Sequence, residues 1–232
     1  MRAIQIYHFG GPEVLELRDI PIPEPKPGEA LVKMAYAGVN FTDIYRRSGD
    51  YAESPTYSTP LPYVLCVEGS GTVAKLGPGV SGLAIGDRVA YTRNPGSYAE
   101  YSLAPVGRLV RLPDAVSLEI ASAVMTHGMT AHYLSTEFGL KAGNVALVHA
   151  GAGGVGQMLI QMLRMQDVRV IATVGSDGKA DIARERGADD VIIYTKQNFR
   201  DAARQLTGGG GVDVVFDSVG KDTLHGSLYS LR

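Results

Sequence analysis

The sequence has little of what several protein classes require. Of its 232 residues only Cys66 is a cysteine, which excludes an intrachain disulfide and a zinc site built from several cysteines. Lysine and arginine (22) nearly balance aspartate and glutamate (24), and no basic stripe suggests a nucleic-acid partner. No apolar run approaches the roughly 18 residues of a membrane span, and the N-terminus lacks a secretory signal pattern. We therefore expect a cytoplasmic protein with no nucleic-acid or membrane partner.

Glycine is the residue type in excess. The 29 glycines and 12 prolines make up about 18% of the chain, against about 12% in average proteins. The glycines are clustered, which indicates tight turns and close backbone approach. The hydrophobic share of 45% and the charged share of 20% are those of a globular chain, long enough for one or two domains.

Two parts of the chain follow different patterns. Residues 1–122 hold short apolar runs between Gly/Pro clusters, which predicts a small β-barrel or sandwich. We expect strands at residues 3–7, 30–36, 71–74, 88–91 and 98–103. Residues 51–62, rich in Pro, Ser and Tyr, are predicted to form a long functional loop.

From residue 123 to residue 232, strand and helix patterns alternate. Strands are predicted at residues 144–149, 169–174, 191–194 and 212–217, and helices from residue 155 and at residues 179–186, 198–206 and 221–231. Apolar strands separated by helices are typical of a parallel, doubly wound sheet. The predicted fold class is thus β followed by α/β.

A glycine-rich turn joins the first strand of this second part to its helix. Gly151, Gly153 and Gly156 satisfy G-x-G-x-x-G between a strand and an amphipathic helix. Glycine lets the backbone approach a pyrophosphate, and the helix N-terminus offers free N–H groups. The pattern predicts a dinucleotide site.

The end of the second strand bears on which dinucleotide binds. An acid about 20 residues after the turn would bind the ribose hydroxyl of NAD(H). At this point the chain has Gly175-Ser176, which leaves room for a 2′-phosphate that Lys179 could neutralise. Asp177 is the competing candidate, as the ribose acid or as a helix cap. We favour NADP(H) over NAD(H).

Several motifs together resemble the zeta-crystallin type of quinone oxidoreductase, in the medium-chain dehydrogenase/reductase superfamily. They are residues 10–15 (GGPEVL), 39–45 (VNFTDIY), 86–89 (GDRV), 143–164 with HAGAGGVG at 149–156, and 216–220 (FDSVG). The resemblance implies a GroES-like catalytic and substrate domain over residues 1–122 and a Rossmann domain over residues 123–232. It also implies NADPH in the cleft between them.

Zinc alcohol dehydrogenases belong to the same superfamily, so the sequence must be tested for zinc. By resemblance, this chain has Asn40 at a position where those enzymes have cysteine, and Cys66-Val67-Glu68 where they have Gly-His-Glu. Asn40 and Val67 are not zinc ligands. His127 and His132, five residues apart near a predicted helix start, do not share a face. We expect no metal, and a buried, non-nucleophilic Cys66.

The resemblance assigns the remaining site residues. Around nicotinamide and substrate it implies Asn40, Tyr45, Tyr51 and Thr130, with Asn40 or a tyrosine hydroxyl donating to a carbonyl oxygen or oxyanion. Alternatively, each tyrosine is a half-buried aromatic residue with only a structural role, and Asp43 only stabilises its loop. The cofactor contacts implied by the motif and the resemblance are Phe41, Tyr133, Gly151, Gly153, Gly154, Val155, Gly156, Gly175, Ser176, Lys179, Tyr194 and Val219.

The implied reaction is zinc-independent hydride transfer from NADPH to a quinone. Two alternatives remain: reduction of an enone, alkenal or enoyl thioester, and NADPH binding without turnover. The second arises because only four of the six strands of a full dinucleotide domain are found, so we expect a Rossmann domain incomplete at its C-terminal end. In the full-length form the resemblance implies a homodimer.

Overall fold

The computed structural model describes residues 1–232 and divides into two compact units, Met1–Thr126 and His127–Arg232. The division and the predicted boundary after residue 122 both fall inside one helix, α2 (Leu118–Glu137). Periodicity did not reveal this helix, because its apolar residues are not confined to one face. His127 and His132 therefore lie within a long helix rather than near a helix start, which corrects that expectation.

The first unit contains eight strands in two antiparallel sheets. The strands are β1 (Arg2–Ile6), β2 (Glu16–Asp19), β3 (Glu29–Ala37), β4 (Tyr63–Val64), β5 (Gly69–Leu76), β6 (Arg88–Tyr91), β7 (Tyr101–Pro105) and β8 (Val110–Arg111). One sheet has the order β2-β1-β4 and the other the order β7-β3-β5-β6-β8. All five predicted strands are present. The short strands β2, β4 and β8 were missed because they carry too few residues for a pattern.

Strands β3 and β5 form the centre of the larger sheet. Their partners Val32 and Val73 are fully buried beside Ala30 and Val89. Gly71 lies so close to β3 that a Cβ would come within 2.1 Å of a backbone oxygen there. Glycine is therefore required where the two strands approach each other most closely.

Helix α1 (Phe41–Ser48) follows β3 and was not predicted as a helix. Asn40 has extended backbone angles at its N-cap, and the backbone N–H of Asn40 donates to the Asp43 carboxylate at 2.9 Å. The helix ends at Gly49, whose φ of 92° is readily adopted only by glycine. Residues 49–62 contain no strand or helix, as expected for the long loop.

The second unit has the predicted alternation and a parallel sheet. Its further elements are β9 (Val145–Val148), α3 (Gly154–Arg164), β10 (Arg169–Val174), α4 (Asp177–Glu185), β11 (Asp190–Ile193), α5 (Phe199–Leu206), β12 (Val214–Phe216) and α6 (Leu224–Ser230). The sheet order β11-β10-β9-β12 corresponds to strands 3-2-1-4 of the doubly wound fold. Helix α6 starts later than predicted because a turn fills residues 221–223.

Side chains on the two faces of this sheet form separate cores. One face packs against α3 and α4 through Leu159, Ile160 and Leu163. The other packs through Leu147, Ile171 and Ile192 toward α5. With both faces covered, the carboxyl ends of the strands are the positions where a ligand can reach the sheet. None of the six helices has the length and apolar content needed to cross a membrane.

Candidate functional site

The glycine turn after β9 leads directly into α3. Gly153 is the N-cap of the helix, and the backbone N–H groups of Gly154, Val155 and Gly156 begin it without acceptors from a preceding turn. A Cβ on Gly156 would come within 2.4 Å of the backbone oxygen of Ala150. Because Gly156 has no side chain, the first turn of α3 can pack directly against the backbone of the glycine turn. Such a helix start is suited to hold a pyrophosphate.

A cavity of about 520 Å³ opens beside this turn. It lies where the strands end, and a volume of this size suits a cofactor or a small ligand. Residues from the ends of β9, β10 and β11 and from the loop after β12 surround it. The lining residues are His149, Ala150, Ala152, Gly153, Thr173, Val174, Gly175, Lys179, Tyr194, Gln197, Asn198, Phe199, Val219, Asp222 and Thr223.

One wall of the cavity carries the residues expected to distinguish NADP(H) from NAD(H). A Cβ on Gly175 would meet the Tyr194 hydroxyl at 2.7 Å, so these two residues are in close contact. Lys179 lines the cavity, whereas the Asp177 carboxylate forms an ion pair with Lys196 at 2.7 Å. Asp177 is thus already engaged outside the cavity lining. The N-cap of α4 is Ser176, not Asp177.

A hydrogen-bond chain supports another wall of the cavity. Asp217 accepts from the backbone N–H groups of Val219 and Gly220 and from the hydroxyls of Thr223 and Ser227. Burial alone would raise the pKa of Asp217, but these donors outweigh it and lower the pKa to about 2. The same carboxylate therefore orders the loop that carries Val219.

His149 continues this chain at the end of β9. Its Nε2 lies 3.1 Å from the Ser227 hydroxyl and its Nδ1 lies 2.8 Å from the Thr173 hydroxyl. Because Ser227 donates to Asp217, Nε2 of His149 must carry the proton, and Nδ1 accepts from Thr173. Burial lowers the pKa of His149, while the Asp217 charge opposes this effect, so the ring is neutral.

The predicted cofactor residues divide into groups. Gly153, Gly175, Lys179, Tyr194 and Val219 line the cavity. The turn and cap residues Gly151, Gly154, Val155, Gly156 and Ser176 shape its edge without lining it. Two predicted cofactor residues lie elsewhere on exposed helix surfaces, Phe41 on α1 and Tyr133 on α2; Thr130, predicted beside the nicotinamide and substrate, is also exposed on α2.

In the first unit, Asn40 lies at the N-terminus of α1 and is almost completely buried. Its Nδ2 donates to the Glu68 carboxylate at 2.6 Å, with Gly38 O at 3.4 Å. Cys66 is fully buried, and burial raises the pKa of its thiol to about 12. Asn40, Cys66 and Glu68 thus provide one thiol and one carboxylate that already accepts hydrogen bonds, fewer ligands than a zinc site needs. No group of three or more histidine, cysteine, aspartate or glutamate residues is arranged to hold a metal.

Aromatic rings form a ladder on α1 and the loop that follows it. The ring centroids of Phe41 and Tyr45 lie 6.2 Å apart, those of Tyr45 and Tyr51 5.4 Å, and those of Tyr51 and Tyr57 4.9 Å. The last pair is stacked, and Phe41, Tyr45 and Tyr57 are exposed. Burial raises the pKa of Tyr51, so its hydroxyl keeps a proton to donate at neutral pH. The predicted pair Tyr45 and Tyr51 is thus in contact.

Arg46 connects the helix to this loop. The buried guanidinium donates through Nη1 to the carbonyls of Tyr57 and Ser58 at 3.1 and 3.0 Å and to the Thr59 hydroxyl at 3.2 Å. It also lies 5.9 Å from the ring centroid of Tyr57, within cation–π range. Because Arg46 follows Tyr45 in α1, it holds the loop beside the ladder.

Several of these residues were not singled out by the sequence. They are His149, Thr173, Asn198, Phe199, Asp217, Glu68, Arg46 and Tyr57. For Thr173, Asn198 and Phe199 a usable signal was their position at or just after the ends of parallel strands, where ligands bind in this fold. Glu68 and Arg46 gave no such signal, since each acts through partners distant in sequence.

A β unit followed by a doubly wound unit with a glycine turn defines a dehydrogenase of the medium-chain type. Residues 26–114 match the alcohol dehydrogenase GroES-like domain family, and residues 154–232 match the zinc-binding dehydrogenase family. The chain is 42% identical to a quinone oxidoreductase of Pseudomonas aeruginosa, over 98% of this chain and 69% of that protein. It belongs to the quinone oxidoreductase family and is, by this membership, an oxidoreductase.

Two further comparisons bear on the chemistry. The structure of Escherichia coli quinone oxidoreductase complexed with NADPH matches with a TM-score of 0.94 at 37% identity, covering 100% of this chain and 70% of that one. A 2-haloacrylate reductase of Burkholderia is 37% identical, over 99% of this chain and 70% of the relative. The names of these relatives thus specify two kinds of acceptor, quinones and 2-haloacrylates.

Proposed function

We propose that this protein reduces a quinone with NADPH, without a metal. The observation that carries the proposal is the cavity beside the glycine turn, where Lys179, Gly175 and Tyr194 share one wall. Bound there, NADPH would supply the hydride, and the protein's residues bind and orient the reactants. The NADPH complex of the Escherichia coli relative supports this cofactor.

The cofactor is held by groups of the second unit. The N–H groups at the start of α3 would hold the pyrophosphate, and the ammonium group of Lys179 would pair with the 2′-phosphate. Tyr194 would lie beside the adenosine, and Val219, on the loop that Asp217 orders, would pack against the cofactor.

The acceptor is held by groups of the first unit. Flat, neutral rings stack well on tyrosine rings, so the ladder that holds the exposed Tyr45 and the half-buried Tyr51 is suited to a quinone. A tyrosine hydroxyl donates to the oxyanion that develops as hydride arrives. Thr130, on α2 in the second unit, is assigned to the reacting end of the site, and Asn40 to the start of the helix that carries Tyr45.

Lys179→Met tests the cofactor assignment. We expect the KM for NADPH to rise about 10- to 100-fold while the KM for NADH stays nearly constant. Only NADPH carries the 2′-phosphate that would pair with Lys179, so only NADPH loses an interaction in this variant. Lys141→Met, at an exposed lysine outside the cavity, is the matched control. Equal changes for both cofactors would contradict the assignment.

The acceptor assignment is tested by NADPH oxidation with phenanthrenequinone. We expect turnover by the wild-type chain, and a fall in kcat of about 10- to 100-fold when the responsible hydroxyl is removed in Tyr45→Phe or Tyr51→Phe. Because both variants keep the aromatic ring, stacking is preserved and the loss reports proton donation. Absence of turnover with any quinone would refute the proposed reaction.

A second candidate is reduction of an activated alkene, which the 2-haloacrylate reductase relative favours. The fold is shared by both reactions and does not choose between them. The ratio of kcat/KM values for phenanthrenequinone and for a small conjugated enone separates them. A higher value for the enone would assign the protein to alkene reduction.

A further inference from the structure

Glu68 is a carboxylate with no role in the proposed chemistry, yet it is completely buried in the first unit. Its Oε2 accepts from Nδ2 of Asn40 at 2.6 Å, and its Oε1 accepts from the backbone N–H of Thr126 at 2.7 Å. Each carboxylate oxygen thus has one short hydrogen bond from a neutral donor, which offsets part of the cost of burial. These two contacts join the start of α1 to α2.

The backbone beside Glu68 leaves room for this carboxylate. Gly38 lies two residues before Asn40, and a Cβ on it would come within 2.5 Å of Glu68 Oε2 and 2.3 Å of the Ser122 backbone oxygen. The backbone N–H of Gly38 also donates to the Glu68 carbonyl at 3.1 Å. Any larger residue at position 38 would push the carboxylate away from Asn40.

Glu68 determines which way the Asn40 amide faces. A carboxylate only accepts hydrogen bonds, so the Asn40 atom directed at it must be Nδ2. The helix start is closed by backbone groups of the same residue: the N–H of Asn40 donates to the Asp43 carboxylate at 2.9 Å, and the N–H of Asp43 donates to the backbone oxygen of Asn40 at 3.0 Å. Glu68 therefore anchors the side chain of the residue that forms the N-cap of α1.

The consequence reaches the acceptor site through α1. Tyr45 lies in the same short helix, just over one turn after its N-cap, and carries the central ring contacts of the ladder. A shift of the N-cap would move the Tyr45 ring and its hydroxyl relative to Tyr51.

We propose that Glu68 is a positioning residue for the quinone reaction: it anchors the side chain of Asn40, the N-cap residue of α1, and thereby places Tyr45. The proposal rests on the proposed function for its kinetic part. It assigns Asn40 a role through hydrogen bonds to Glu68 and the helix start, rather than through direct donation to the acceptor.

A reciprocal exchange of the two side chains tests this pairing. In the single variant Glu68→Gln, an amide N–H faces another donor, either Nδ2 of Asn40 or the backbone N–H of Thr126. In the single variant Asn40→Asp, two carboxylates face each other. In the double variant, the amide introduced at position 68 accepts from Thr126 and donates to the carboxylate introduced at position 40.

The double variant keeps the net charge of the wild type, because one carboxylate is removed and another is added. Glu185→Gln, at an exposed position of α4, is the control for loss of a single negative charge. The measurements are the urea midpoint of each variant, kcat and KM for phenanthrenequinone, and the Kd for NADPH.

We expect each single variant to be destabilised, with Glu68→Gln losing about tenfold or more in kcat while its Kd for NADPH changes less than about twofold. The double variant should recover the urea midpoint and return kcat to within about threefold of the wild type. The control should match the wild type in all four quantities.

Other outcomes overturn the proposal. A folded Glu68→Gln variant with wild-type kcat would show that the carboxylate does not position the site. A double variant with wild-type stability but no quinone turnover would show that Asn40 must contact the acceptor directly. A double variant no more stable than the single variants would refute the pairing. If the wild type itself lacks quinone turnover, the proposed function fails, and the stability cycle still decides the pairing.

A measurement on the unmodified protein serves where a single variant fails to fold. We expect at least one Asn40 side-chain amide proton to exchange with solvent about tenfold or more slowly than those of exposed Asn198, because it is buried and bonded to Glu68. Equal exchange rates in NMR spectra would contradict the contact.

Discussion

Replacing Asp43 with asparagine should stabilise the first unit at neutral pH. Asp43 is buried, and burial raises the pKa of its carboxyl from 3.8 to about 6, with Glu68 adding to the effect. The backbone N–H of Asn40, the Tyr98 hydroxyl and Arg46 lower it only in part. One carboxylate oxygen, Oδ1, has no hydrogen-bond partner.

The size of the effect follows from the difference between the folded and unfolded pKa values. At about pH 7.5 the carboxyl is ionised in both states, and the cost of ionisation in the folded protein is about 3 kcal/mol at roughly 1.36 kcal/mol per pKa unit. As the pH falls through about 6, the folded state binds a proton before the unfolded state does, so the cost decreases to about 1 kcal/mol near pH 4.5. An asparagine retains an oxygen to accept the Asn40 N–H.

Urea titration followed by circular dichroism checks this prediction. The stability advantage of Asp43→Asn over the wild type should be about 2 kcal/mol larger at about pH 7.5 than near pH 4.5, whatever constant offset the amide introduces. Asp114→Asn, at an exposed position of the same unit, is the control. An advantage that is constant with pH, or that grows as the pH falls, would refute the reasoning.

Three other perturbations have definite expected results. Gly156→Ala should weaken NADPH binding about tenfold or more, since the new Cβ would contact the Ala150 backbone oxygen, whereas Gly178→Ala, with open space around it, should have little effect in the same fluorescence titration. Arg46→Met should raise the KM for quinones several-fold in steady-state assays without changing the Kd for NADPH, because the guanidinium holds the loop of the ring ladder. Asp217→Asn should cost about 1 kcal/mol of stability near neutral pH by thermal or urea unfolding, a value smaller than the full pKa difference because solvent screens this carboxylate. The cost should decrease as the pH falls below about 4, because the donors that lower the pKa favour the charged form.

The fold of the second unit was predictable because its patterns are local. Apolar strands and amphipathic helices alternate along the chain, so the parallel sheet followed from the sequence, and the predicted strand at residues 169–174 has the same bounds as β10. The glycine turn was equally clear from the sequence, since a Cβ on Gly151 would meet the Ala172 side chain at 2.7 Å and one on Gly156 the Ala150 backbone oxygen at 2.4 Å. The motifs also placed the chain in its family.

Contacts between distant segments leave no such local pattern. Arg46 bonds to residues 11 to 13 positions away, and Asn40 and Glu68 are separated by 28 residues, so no periodicity reports these pairs. Helix α2 escaped prediction because it carries apolar residues around its circumference. Local patterns were therefore sufficient for the parallel sheet and the glycine turn. The orientation of Asn40, the ring ladder and the lining of the cavity arise only when distant segments pack together, because a hydrogen bond or a ring contact depends on where its partner lies in space.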